Sequence, residues 1–173
     1  MTNEQFIRNA YHVAEIKDIP GWVASFTPDG TFTDESLGVT YRGPNELGRP
    51  VEVYAKAFPD MHRELYEVIV QGDVVIVELS LNGTHRGPLE LPKGIVPASG
   101  KRMKAPCCDV FRLKDGKIQS FHCYPIVTDS SWLPDETPTR RQNSWRTFLQ
   151  CLQISRRPDI QLARLSRSRL HGR

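Results

Sequence analysis

Between His62 and Tyr124 the chain alternates apolar and polar residues in four segments. Two of their joints are the pairs Gly72-Asp73 and Asp115-Gly116. Period two is the signature of a strand, because successive side chains point to opposite faces. Gly-Asp and Asp-Gly pairs between such runs are hairpin turns. The pattern predicts strands over residues 62–71, 74–85, 102–113 and 117–124. Residues 86–100 carry three prolines and three glycines and read as a loop.

Upstream the period is helical. Phe6, Ile7, Ala10, Val13 and Ala14 form one stripe over residues 3–16. Asp18 can cap a second short helix with Pro20 in its first turn and Trp22, Val23 and Phe26 as its apolar residues. Pro28-Asp29-Gly30 reads as a turn, followed by short strands at residues 31–33 and 39–41. A third helix is expected over residues 44–58, burying Leu47, Val51, Tyr54, Ala55 and Phe58 and stopped by Pro59. Helices first and hairpins after is an α+β layout, with the helices on one face of a curved antiparallel sheet. Such a sheet leaves a mouth at one end, a natural ligand pocket.

The charge divides the chain. From Thr137 onward there are nine Arg, no Lys and one acid, Asp159, so the last 37 residues sit near +8 and the first 136 near −5. Residues 1–126 read as one domain. Residues 127–173 read as an Arg-rich extension, flexible or weakly helical around Trp145, Phe148, Leu149 and Leu152. Nine arginines could meet nucleic acid or an anionic membrane. Against a nucleic-acid partner stand the sparse aromatics of this segment and the lack of any recognised nucleic-acid motif. No apolar run is long enough to span a bilayer, and the polar, periodic start is unlike a signal peptide, so a cytoplasmic protein is expected. Cys107, Cys108, Cys123 and Cys151 lack zinc-site spacing and read as reduced thiols. The sequence calls for neither a metal nor a cofactor: it has no phosphate loop and no nucleophile elbow.

The strand over residues 102–113 singles out one carboxylate. Met103, Ala105, Cys107, Asp109, Phe111 and Leu113 share a face, and Asp109 is its only charge. Burial there raises a carboxyl pKa and makes Asp109 a candidate acid or base. The bland alternative is a structural pair with an Arg or His. Asp34 sits just after a strand, where the chain turns back through Ser36 and Gly38 and an Asp ordinarily caps the turn. His62, His85 and His122 lie on separate strands, each a satisfied polar residue or a pocket group.

Four segments then act together. Phe26-Thr27-Pro28-Asp29-Gly30-Thr31-Phe32-Thr33-Asp34, Phe58-Pro59-Asp60-Met61, Asn82-Gly83-Thr84-His85-Arg86-Gly87 and the stretch from Asp109 to Ile118 resemble, in order and spacing, the SnoaL-like branch of the nuclear-transport-factor-like superfamily. That superfamily includes polyketide cyclases and ketosteroid isomerases. The resemblance implies a cone-shaped α+β fold and a homodimer through the sheet, with Arg63, Glu67 and Glu78 on its exposed face. Ketosteroid isomerases use an Asp base, a Tyr and a protonated Asp. By that resemblance Asp34 is the base, and Asp109 and Tyr11 stabilise an enolate oxygen. His62, His85 and His122 line or polarise the pocket, and Trp22, Phe26, Met103 and Cys107 grip an apolar polyketide- or steroid-like molecule. The cyclases place an acid on the last strand. Here that strand reads Ser120-Phe121-His122-Cys123-Tyr124, with no acid before Asp129. Two functions follow: an isomerase or cyclase moving a proton beside a carbonyl, or a non-catalytic binding or dimerisation module of the same fold.

Overall fold

The computed structural model describes residues 1–92 and 94–126; the expectations for residues 127–173 lie outside them. Helix α1 (Asn3–Glu15) begins with a reciprocal cap: Thr2 Oγ1 accepts from the Gln5 amide and Gln5 Oε1 accepts from the Thr2 amide. It buries Ile7, Ala10, Tyr11 and Ala14, the i, i+3, i+4, i+7 stripe of an amphipathic helix. Helix α2 (Ile19–Ala24) is capped by Asp18, whose Oδ1 accepts from the Gly21 amide at 2.9 Å.

The expected third helix is two. Helix α3 (Gly43–Leu47) and helix α4 (Arg49–Ala57) meet at Gly48. Pro50 has no N–H to continue an α-helix and belongs in a first turn. Gly48 lies against α2, where a Cβ would come within 2.6 Å of Ile19 Cγ2.

Strands β1 (Phe26–Asp34), β2 (Val39–Arg42), β3 (His62–Gln71), β4 (Val74–Thr84), β7 (Arg102–Lys114) and β8 (Lys117–Pro125) form one curved, unclosed sheet in the order β2-β1-β8-β7-β4-β3. The sheet is mixed rather than antiparallel throughout, because β1 lies parallel to β8. The Pro28-Asp29-Gly30 turn signal sits inside β1 as a register shift between Phe26 and Thr31. The expected loop at residues 86–100 carries a small hairpin, β5 (Leu89–Leu91) with β6 (Gly94–Val96), and Leu89 is buried.

Strand β3 shifts register between Leu65 and Glu67. Before the shift Arg63 opposes Leu81 and Leu65 opposes Leu79; after it Val68 opposes Val77. The extra residue, Tyr66, reverses the parity of the strand. Arg63 therefore shares the face of buried Val77, Leu79 and Leu81, and Glu67 does not. This corrects the expectation that Arg63, Glu67 and Glu78 share one exposed face. No described helix is long and apolar enough to cross a membrane.

Candidate active site

Three strands put their chemistry in one row. Asp34 of β1 is the register partner of Cys123 of β8, and Cys123 is the partner of Asp109 of β7. With strands about 4.8 Å apart, the two aspartate Cα atoms stand about 10 Å apart on one face of the sheet. Asp34, Cys123 and Asp109 line the same cavity, which holds about 700 Å³ with its open mouth included. Its other walls come from α1 (Ala14, Glu15), α2 (Trp22), α4 (Val51, Tyr54), Phe58 and Met61, and the strand residues Phe32, Arg63, Leu81 and Phe121.

Two residues away along the same strands is a second row, Phe32, Phe121 and Phe111. The rings stack at 4.4 and 4.3 Å between centroids. Trp22 meets Phe26, Phe32 and Phe121 edge-on and donates its Nε1–H to the Leu47 carbonyl at 2.8 Å. This row fixes the back wall.

The two carboxylates have unlike surroundings. Asp34 Oδ1 accepts from the Ser36 amide (3.0 Å), Ser36 Oγ (2.7 Å) and the Leu37 amide (3.1 Å). Its Oδ2 makes no hydrogen bond among the described residues. Asp109 is 1% exposed. Tyr11 Oη donates to its Oδ2 at 2.7 Å, and the Cys107 thiol donates to its Oδ1 at 3.2 Å. Burial raises the Asp109 pKa; hydrogen bonds from Tyr11, Cys123 and Cys107 and the Arg63 charge pull it down without reversing the direction. Burial also lifts Tyr11 well above its usual range, with the charge of Asp109 adding to it. The Cys107 thiol is pushed up to about 12, chiefly by burial. Cys123 is raised by its hydrogen bond with Cys107 and then by burial.

Of the residues singled out in the sequence, Asp34, Asp109 and Trp22 reach the cavity wall. Tyr11 and Cys107 stand behind Asp109 and bond to it. Phe26 and Met103 are buried in the core beyond the lining. His62 is exposed, with Nδ1 3.3 Å from the Asp60 carbonyl. His85 is fully buried, stacked on Phe58 and 3.1 Å from Ser99 Oγ. His122 pairs with Glu35 Oε1 at 2.7 Å. None of these three histidines lines the cavity. Cys107 and Cys123 are free, buried thiols.

Sequence reasoning did not single out Tyr54, Glu15 or Arg63 as site residues. Tyr54 appeared only as helix core; its hydroxyl pKa is raised by burial and then by the charge of Asp34. Arg63 stands 5.2 Å over the Tyr11 ring and 3.8 Å from Glu15 Oε1. The helical spacing of Tyr54 in α4 could have flagged it; the parity shift that brings in Arg63 has no comparable local signal.

A SnoaL-like domain family model matches residues 7–121. No curated protein matches the chain. Three solved structures share the fold. One is a candidate SnoaL-like polyketide cyclase from Jannaschia sp. CCS1, at 22% identity and TM-score 0.63, covering 72% of this chain and 85% of that one. Another is a hypothetical protein with a ketosteroid isomerase-like fold from Catenulispora acidiphila, in complex with trimethylamine. It shows 20% identity and TM-score 0.62 over 79% of this chain and 100% of the other. A third is IdmH, a candidate polyketide cyclase from Streptomyces antibioticus, at 19% identity and TM-score 0.60 over 73% and 93%. At these identities the structures speak for the fold, which is nuclear-transport-factor-like; the family match covers most of the chain, and the chain belongs to the SnoaL-like domain family.

Proposed function

We propose that the domain is an enzyme that moves a proton on the carbon beside a carbonyl in an apolar, polyketide- or steroid-like molecule. The observation that carries this is the row Asp34–Cys123–Asp109: two carboxylates in one cavity, one held as a hydrogen-bond acceptor and one desolvated. Pairs of acids in such unlike settings divide base and acid roles. Asp34 Oδ2 takes the α-proton. The electron pair moves onto the carbonyl oxygen, which meets the Asp109 carboxyl proton. Tyr11 positions Asp109 through Oδ2, so the weak thiol contact on Oδ1 is the one that yields to substrate. Returning the proton to another carbon is isomerisation; carbanion attack within the same molecule is cyclisation. Trp22, Phe32 and Phe121 supply the apolar grip.

A second function has one observation in its favour. The three donors on Asp34 Oδ1 are what a turn-capping Asp has in a non-catalytic binding module. One experiment separates the two. A β,γ-unsaturated 3-ketosteroid and an aromatic polyketide ester are incubated with the protein in D₂O, and α-deuteration is followed by NMR. Asp34→Asn is expected to cut exchange by about 10²–10⁴-fold and Asp109→Asn by about 10²–10³-fold. Binding of either compound without exchange supports the binding module, and exchange untouched by both variants removes the catalytic assignment.

A further inference from the structure

We propose that Cys107, Asp109 and Cys123 form a binding site for one thiophilic divalent cation of the Zn²⁺ type, with its fourth coordination position open to the cavity. One donor atom from each residue lies within 4.8 Å of the others, and all three residues are buried. Cys107 Sγ stands 3.5 Å from Cys123 Sγ and 3.2 Å from Asp109 Oδ1. A tetrahedral zinc with bonds of about 2.3 Å to sulfur and about 2.1 Å to oxygen needs donor spacings of about 3.8 Å and about 3.6 Å. On those two edges the cluster has to open by only about 0.3–0.4 Å.

Strand register builds the triad. Asp109 and Cys123 are direct partners, and Cys107 precedes Asp109 by two residues on the same face. Cys123 and Asp109 line the cavity while Cys107 is 0% exposed, so the three protein ligands sit at the back and the open position faces solvent or a ligand. Tyr11 is placed as an outer-sphere residue: its hydroxyl holds Oδ2 and leaves Oδ1 toward the sulfurs. Two thiolates and a carboxylate carry −3, an ion of +2 leaves −1, and Arg63 in the cavity wall faces that charge. Two sulfurs and one oxygen select a soft or borderline ion; Mg²⁺ and Ca²⁺ need oxygen shells that this cluster lacks. Binding displaces both thiol protons, and a third where Asp109 carries one; no electrons move. The ion and the acid proton compete for Asp109 Oδ1, so metal inhibits the proton transfer proposed above.

The test uses the full chain and no substrate, so its failure is distinct from failure of the catalytic assignment. Co²⁺ is titrated in as a spectroscopic stand-in. The expected result is a thiolate-to-cobalt charge-transfer band saturating at one ion per chain and bleached by Zn²⁺. Zn²⁺ calorimetry in two buffers is expected to report two or three protons released. Cys123→Ala should weaken Zn²⁺ more than about 100-fold, and Tyr11→Phe about 10–100-fold with the band retained. Asp109→Asn keeps both sulfurs and nearly the same shape; it carries the test where a cysteine variant does not fold, and should lose at least about 10-fold in affinity. No band at millimolar Co²⁺ overturns the site. So does unchanged Zn²⁺ affinity in folded Asp109→Asn, or a signal that survives Cys107→Ala/Cys123→Ala and reports surface histidines alone.

Discussion

The rows Asp34–Cys123–Asp109 and Phe32–Phe121–Phe111 lie on the same three strands, two residues apart, on the same face. One is three stacked rings; the other is two carboxylates around a thiol. Apolar rings lose nothing when water leaves and gain from stacking. Carboxylates and thiols in the same position lose solvation and recover it only through specific partners. One step of two residues thus separates stability from chemistry, and the same strands supply both.

The contrast breaks most visibly at its centre. Phe121→Ala is expected to cost about 3–5 kcal/mol by urea denaturation, while Cys123→Ala, two residues on, should cost about 1 kcal/mol. Equal losses would erase the distinction between the rows. Tyr11→Phe leaves Oδ2 of a buried carboxyl without its donor and should cost about 1–3 kcal/mol. Because that hydrogen bond lowers the Asp109 pKa, the variant should raise it further, read by carboxyl titration in the infrared.

The pH dependence has a definite sign. Asp109 holds its proton more tightly folded than unfolded, so it stabilises fully below the unfolded value of about 4 and loses that stabilisation as pH rises through the folded pKa. Relative to Asp109→Asn, wild type should lose about 1.4 kcal/mol per pH unit inside that window, measured by urea midpoints from pH 4 upward. A flat difference would mean that Asp109 is not desolvated. The smallest effect is at the cavity mouth. Arg63→Met removes a partly exposed, 3.8 Å pair with Glu15 and should change stability by less than about 1 kcal/mol. It should still raise the Asp109 pKa, since the Arg63 charge lowers it.

The strand limits near His62, Gln71, Val74 and Arg102 and the shared face of Met103 through Leu113 were legible in the sequence alone, because side-chain alternation and Gly-Asp turns are local properties. The same logic isolated Asp109 among apolar neighbours. Pairing of β1 with β8 was not legible: these strands are more than 80 residues apart and no local pattern encodes their parallel register, yet that register brings Asp34 beside Cys123. Nor was the extra residue at Tyr66, which turns Arg63 inward, or the break at Gly48 that Pro50 requires. The histidines show the reverse case: their residue type suggested chemistry, and their placement on the outside of the sheet, in the core, or at an exposed strand start is decided by neighbours distant in the chain. The order of elements and the acid on β7 were in the sequence, because short-range periodicity carries them. The cavity and its partnership of two carboxylates came only with the tertiary structure, because long-range register decides which side chains share a wall.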